Sequence, residues 1–117
     1  MPVHVNLTVA DTDRSLAFYR RWLGFGQETR EFADGTVFIR DDEGTDLAFH
    51  AGLGEHRPSR LFHFGFRRHD PGAVRALGSA LVAAGVDVFE RDDDAEIVNV
   101  KFLDPDGYFV EVYWEPE

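Results

Sequence analysis

The sequence contains no cysteine among its 117 residues. Disulfide bonds, thiolate metal ligands and cysteine nucleophiles are therefore excluded, and the redox compartment is left open. The sequence also lacks any apolar run near the ~18 residues that span a membrane, and a strand-like pattern begins at its fourth residue. We therefore expect a cytoplasmic protein with no signal peptide and no membrane span.

Positive charge is scarce as well. Twelve Lys and Arg residues stand against 22 Asp and Glu residues, which gives a formal net charge of −10. This charge repels phosphate backbones and anionic lipid, and the densest basic spots, Arg20-Arg21 and Arg67-Arg68, are too short to form a basic patch. We therefore expect neither a nucleic-acid partner nor a membrane partner.

Apolar residues, in contrast, are abundant, at 44% of the chain with 11 Phe among them. A chain of this length normally forms one domain that buries roughly two-thirds of its unfolded surface. We therefore expect a single domain over residues 1–117 with a substantial core.

The first half of the chain carries the pattern of one strand, one helix and three strands. Polar and apolar residues alternate from His4 to Val9, which predicts a half-buried strand. Asp11-Thr12-Asp13 supplies N-cap candidates, and the apolar spacing that follows predicts a helix at 14–23, ended by Gly24. Turn residues then separate three strand-like runs, at about 25–32, 35–40 and 45–50.

The second half repeats this order. We predict a strand at 61–67, a helix that starts at Asp70-Pro71 and ends at Gly85, and strands at about 87–91, 96–103 and 108–114. His4 and His63 are 59 residues apart, as are Asp11 and Asp70, and the matching glycines are 61 and 63 apart. These spacings indicate a duplicated βαβββ unit, with modules at about 1–52 and 60–117. The expected fold class is therefore α+β.

The repeat places three candidate metal ligands at informative positions. His4 and His63 lie near the start of the first strand of each module. Glu111 lies in the last strand between Val110 and Val112, and alternation directs its side chain away from both valines. A carboxylate in so apolar a strand is costly to bury unless it is paired or coordinated. Two imidazoles and a carboxylate form a ligand set for Zn, Mn, Fe or Ni that leaves positions open for a substrate.

The ends of the chain resemble a known family. The opening stretch His4 to Phe25, with Asp11-x-x-x-Ser15, Phe18-Tyr19 and Leu23-Gly24-Phe25, looks like the start of the glyoxalase/bleomycin resistance/dioxygenase superfamily, whose fold is called the vicinal oxygen chelate fold. The closing stretch Phe102 to Glu111 looks like the last hairpin of that family. The resemblance covers essentially the whole chain. It implies two βαβββ modules that form a curved mixed sheet around a cleft.

The resemblance also implies a metal site. His4, His63 and Glu111 fall on three of the ligand positions of the family, and the fourth position falls on Ala48, which cannot coordinate. A glyoxalase I reaction is therefore disfavoured. The expected cofactor is a divalent metal ion (Fe, Mn, Zn or Ni) that chelates neighbouring oxygens of a small-molecule substrate.

Asp46 and His50 flank Ala48 and share its face of the strand. Either side chain could replace the missing fourth ligand, and His50 is the stronger candidate, as ligand or as base. Together with Glu111, it is the residue we expect to take part directly in catalysis.

A His-His-Glu set resembles two branches of the superfamily. Extradiol dioxygenases use it to hold Fe(II), and fosfomycin-resistance transferases use it to hold Mn(II). The acidic segment Arg91 to Glu96 disfavours a phosphonate substrate. Lyase, isomerase and extradiol dioxygenase chemistry stay open, and the size of the chain resembles that of members that form homodimers.

The alternative is a metal-free, drug-sequestering protein of the bleomycin-resistance type. Such relatives hold a ligand in an aromatic cleft, for which the aromatic residues available here are Trp22, Phe32, Phe38, Phe49 and Trp114. The three potential metal ligands speak against sequestration alone.

Overall fold

The computed structural model of the protein describes residues 3–52 and 62–117. The chain forms two compact units, Met1–Arg57 and Pro58–Glu117. Each unit contains one helix and one four-stranded mixed sheet. Among the described residues, no helix has the length and apolar character needed to cross a membrane.

The first unit follows the predicted order. Its elements are β1 (His4–Val9), α1 (Thr12–Leu23), β2 (Arg30–Glu31), β3 (Val37–Arg40) and β4 (Asp46–Ala51). The strand order is β1-β4-β3-β2, in which β1 runs parallel to β4 and the other neighbours are antiparallel.

The second unit repeats this topology. Its elements are β5 (His63–Arg67), α2 (Pro71–Ala83), β6 (Val88–Asp93), β7 (Val98–Leu103) and β8 (Phe109–Trp114). The strand order β5-β8-β7-β6, again with a parallel first pair, matches that of the first unit position by position. The predicted α+β fold of two βαβββ modules is confirmed.

In each unit, alternation along the strands separates a buried face from an open face. In β4, Leu47 and Phe49 are fully buried, and the ring of Phe49 packs 5.6 Å from that of Tyr19 on α1. In β8, Val110 and Val112 are buried on the side of the sheet that carries α2. The opposite face of each sheet is therefore the one on which polar side chains are available for chemistry.

The helix ends agree closely with the sequence. Asp11 caps α1 by accepting a hydrogen bond from the backbone N–H of Arg14, and Gly24 ends the helix in the left-handed conformation at φ 73°. Asp70 caps α2 through the N–H of Gly72 at 2.8 Å. The last cap of α2 is Ala84, one residue before the expected Gly85, which supplies the positive φ of 79° just beyond it.

Two strand predictions need correction. The run at 25–32 is strand only at Arg30–Glu31, because the guanidinium of Arg20 takes the backbone carbonyls of Gly26 and Gln27 at 3.1 and 2.7 Å. The strand expected at about 87–91 extends through Asp93, since β6 pairs with β7 as far as Val98. The segment between the two predicted modules, 53–59, lies outside the described residues.

Candidate functional site

The open face of the second unit brings two of the predicted ligands onto neighbouring strands. On the parallel pair β5 and β8, His63 lies opposite Phe109 and Gly65 lies opposite Glu111. Because both registered partners and residues two apart share a face, the side chains of His63 and Glu111 project from the same face. The buried state of Val110 confirms that Glu111 points away from the core.

These two side chains border a cleft of about 210 Å³ within the second unit. Its lining consists of a histidine, a lysine, a carboxylate and apolar groups: His63, Phe89, Lys101, Phe109, Val110 and Glu111. The rings of Phe89 and Phe109 lie with centroids 4.7 Å apart at an angle of 43°. The cleft therefore combines two side chains that can coordinate a metal ion, His63 and Glu111, with aromatic rings that can pack against a small organic molecule.

A buried amide holds the carboxylate of Glu111. Nδ2 of Asn99 donates a hydrogen bond to Oε2 of Glu111 at 3.1 Å, and Oδ1 of Asn99 accepts one from the backbone N–H of Asp92 at 2.8 Å. Asn99 is 5% exposed. Asn99 was not predicted from the sequence, although an amide between two valines was a usable signal, because buried amides need partners.

Lys101 lies directly opposite Glu111 in the ladder between β7 and β8. Its ammonium group is paired with Glu90 of β6. The hydrogen bond with Glu90 raises the pKa of Lys101 above its ordinary value, and the negative charge of Glu111 acts in the same direction. Lys101 therefore contributes a fixed positive charge beside the carboxylate.

The open face of the first unit carries the third predicted ligand. His4 is exposed at the start of β1 and lies opposite Asp46 of β4. Asp46 accepts two hydrogen bonds from the guanidinium of Arg40, at 2.8 and 3.1 Å, and Arg30 lies 3.8 Å away. These contacts, chiefly the hydrogen bonds from Arg40, hold the pKa of Asp46 below its ordinary value. The carboxylate of Asp46 is thus engaged by arginines of its own sheet.

The strand registers identify the residue that corresponds to Glu111. His4 lies opposite Asp46, and His63 lies opposite Phe109, so Ala48 and Glu111 each come two residues after the partner of the histidine. Ala48 is fully buried and its methyl group offers no donor atom. The first unit therefore has alanine where the second has its carboxylate.

His50 lies two residues beyond Ala48, on the exposed part of the same face. Its Nδ1 is 3.1 Å from the hydroxyl oxygen of Thr36 on the segment leading into β3. This contact fixes the orientation of the ring and leaves Nε2 as the nitrogen directed away from the hydroxyl.

The aromatic residues divide between the two faces. Phe38 lies on the open face of the first unit, with its ring centroid 5.1 Å from that of Phe32 and 5.7 Å from that of His4. Phe49 belongs to the core, and Trp114 shares the face of the buried valines of β8, so neither lies on the open face of its sheet. Alternation from the neighbouring residues places them there.

Residues 2–112 match the model of the family described as "Glyoxalase/Bleomycin resistance protein/Dioxygenase superfamily". The chain belongs to this superfamily. No curated protein matches the sequence significantly.

Several solved structures share the fold of this superfamily member. It is 25% identical to a possible glyoxalase from Bacillus cereus, with a TM-score of 0.77 over 93% of this chain and 94% of that one. It is 18% identical to the fosfomycin resistance protein FosX from Listeria monocytogenes, with a TM-score of 0.79 over 97% and 91%. It is 20% identical to TnmS3, an antibiotic-binding protein from Streptomyces sp. CB03234, with a TM-score of 0.76 over 99% and 96%.

For this superfamily member, the second unit supplies two donors on one face, His63 and Glu111, and His4 belongs to the first unit. Among residues 3–52 and 62–117, no group of three His, Asp or Glu side chains is placed to hold a metal ion.

Proposed function

We propose that this protein is a divalent-metal-dependent enzyme, with His4, His63 and Glu111 as ligands, that acts on a small substrate carrying two neighbouring oxygens. The observation that carries the proposal is that His63 and Glu111 lie on the same open face of β5 and β8, beside a cleft. The ion would be Fe, Mn, Zn or Ni, and it would supply Lewis-acid stabilisation of negative charge on the substrate oxygens.

The residues of the second unit fit such an ion. Imidazole and carboxylate are the donor types that these metals accept. The hydrogen bond from Asn99 reaches Oε2 of Glu111, and no hydrogen bond from the described residues reaches Oε1, which leaves that oxygen for coordination. Lys101 would lie beside the substrate oxygens, and the rings of Phe89 and Phe109 would pack against its apolar part.

We assign His50 the role of proton acceptor or fourth ligand. Its Nδ1 is held by Thr36, so that Nε2 is the nitrogen for proton exchange or coordination. The proposed reaction is of the lyase, isomerase or extradiol dioxygenase type. The proposed assembly is a homodimer. The similarity to FosX is one of fold, and the acidic side chains of β6 oppose a phosphonate.

A second candidate is metal-free binding of a small aromatic molecule. The observation that favours it is the aromatic patch of Phe32, Phe38 and His4 on the open face of the first unit, where Ala48 takes the place of a carboxylate. The relative TnmS3, an antibiotic-binding protein, has a similar fold. In this case His63 and Glu111 would be the remnant of a metal site that no longer binds an ion.

The two candidates differ in their response to a chelator. We would titrate the protein with 4-nitrocatechol, which has two neighbouring oxygens and a visible absorption band sensitive to chelation, before and after dialysis against EDTA. The metal-dependent enzyme loses its binding and the band shift on dialysis, and His63→Ala abolishes both without EDTA. Equal affinity in both preparations contradicts the metal-dependent proposal and supports the metal-free one.

A further inference from the structure

We infer that Asn99 is a positioning residue that presents Oε1 of Glu111 to the metal. This inference rests on the proposed function, because it assigns a role toward an ion bound by Glu111. The structural basis is a relay of hydrogen bonds across three neighbouring strands. It runs from the backbone of β6, through the side chain of Asn99 on β7, to the carboxylate of Glu111 on β8.

The donor at one end of this relay fixes the orientation of the Asn99 amide. The backbone N–H of Asp92 can only donate, so the group that meets it at 2.8 Å must be the carbonyl oxygen of Asn99. The amide nitrogen consequently faces Glu111, where it meets Oε2 at 3.1 Å. A flipped amide would set two donors against each other at Asp92 and two acceptors against each other at Glu111.

Burial stabilises this orientation of the Asn99 amide. Asn99 is 5% exposed, so loss of either hydrogen bond would leave a polar atom without water to replace its partner. The charged neighbour of Glu111, Lys101, is already paired with Glu90. Asn99 is therefore the group that determines which carboxylate oxygen is held by the protein and which oxygen faces outward.

The corresponding position in the first unit acts on a different side chain. Asn99 lies opposite Tyr113 in the ladder between β7 and β8. The repeat aligns Tyr113 with His50, and the side chain of His50 contacts that of Thr36. In both units this position therefore orients a side chain of the last strand. The second unit uses the longer amide, which reaches the carboxylate two residues earlier.

The test compares Mn(II) affinity, measured by calorimetry on the full chain, for the wild type and for Asn99→Leu, Glu111→Gln and Val100→Ala. Leucine keeps the branching of the asparagine side chain at Cγ, with methyl groups in place of the amide oxygen and nitrogen, and removes both hydrogen bonds. We expect Mn(II) to bind Asn99→Leu roughly 10–100-fold more weakly, the usual effect of removing an outer-shell partner. Val100→Ala removes core packing from the same strand without touching Glu111, and it should leave the affinity within twofold.

A spectroscopic readout on the metal-free protein is also available. The sequence contains two asparagines, Asn6 and Asn99, so a spectrum of the protein with ¹⁵N-labelled asparagine shows two side-chain amide pairs. The Asn99 pair, identified by its absence in Asn99→Leu, should be shifted downfield and protected from exchange. Glu111→Gln should shift it upfield, because a neutral acceptor replaces a carboxylate.

The possible failures are distinguishable. If Glu111→Gln loses Mn(II) and Asn99→Leu keeps it within twofold, the positioning role is wrong and the proposed ligand role stands. If Glu111→Gln binds Mn(II) as the wild type does, the proposed function is wrong and the inference falls with it. If Val100→Ala weakens Mn(II) binding as much as Asn99→Leu does, the effect is one of general strand stability and the inference is overturned.

Discussion

The turn that joins β7 to β8 is held by one carboxylate oxygen, and its removal should be costly. Oδ1 of Asp104 accepts hydrogen bonds from the backbone N–H groups of Asp106 and Tyr108, at 2.8 and 2.9 Å. Asp104 is buried, with 6% of its surface exposed. A hydrogen bond to a charged group contributes about 1.5–3 kcal/mol. Asp104→Ala should therefore lower the free energy of unfolding by about 3–5 kcal/mol, a large part of the usual 5–15 kcal/mol.

Asp104→Asn provides the matched control. Asparagine is nearly the same size and keeps Oδ1, so both hydrogen bonds persist with a neutral acceptor, and the loss should be about 1–2 kcal/mol. The measurement is urea-induced unfolding followed by far-ultraviolet circular dichroism. A loss below about 1 kcal/mol for Asp104→Ala, or equal losses for the two variants, would refute this account of the turn.

Two further predictions concern stability in the first unit. Asp46→Asn should lower the free energy of unfolding at neutral pH and have a smaller effect at pH 3, because the hydrogen bonds from Arg40 hold the pKa of Asp46 below its ordinary value. The stabilisation is complete above the pKa of the unfolded chain and is lost as the pH falls through the folded value. Urea unfolding at both pH values measures this, and an effect of equal size at both would contradict it. Phe49→Ala should cost about 3–5 kcal/mol, whereas Phe38→Ala on the open face should cost much less; equal losses would mean that the two faces are wrongly assigned.

The fold could be predicted because both halves of the chain carry the same set of local signals. The local signals are the alternation at 4–9 and 108–114, the caps Asp11 and Asp70, and Gly24 and Gly85 at or just beyond the helix ends, and both units follow them. The strand expected at 25–32 failed because its carbonyls are taken by Arg20, a contact from a helix that no local pattern of 25–32 reports.

The candidate site was predictable in part. The face on which Glu111 lies follows from the valines on either side of it, and the same rule could have placed Phe49 in the core. The role of Asn99 was not predictable, because it depends on the registers of β6, β7 and β8 together, and β6 contains an irregularity between Val88 and Glu90. Register across a hairpin is set by the turns and bulges as well as by the pattern of the strands.

The central claim, that His4, His63 and Glu111 hold a divalent metal, is tested most directly by elemental analysis. The protein would be purified without a chelator and without a histidine tag, beside a His4→Ala, His63→Ala double variant. The account predicts near-stoichiometric Fe, Mn, Zn or Ni in the wild type and none in the variant. Absence of metal from both, even after reconstitution with each of these ions, would contradict it.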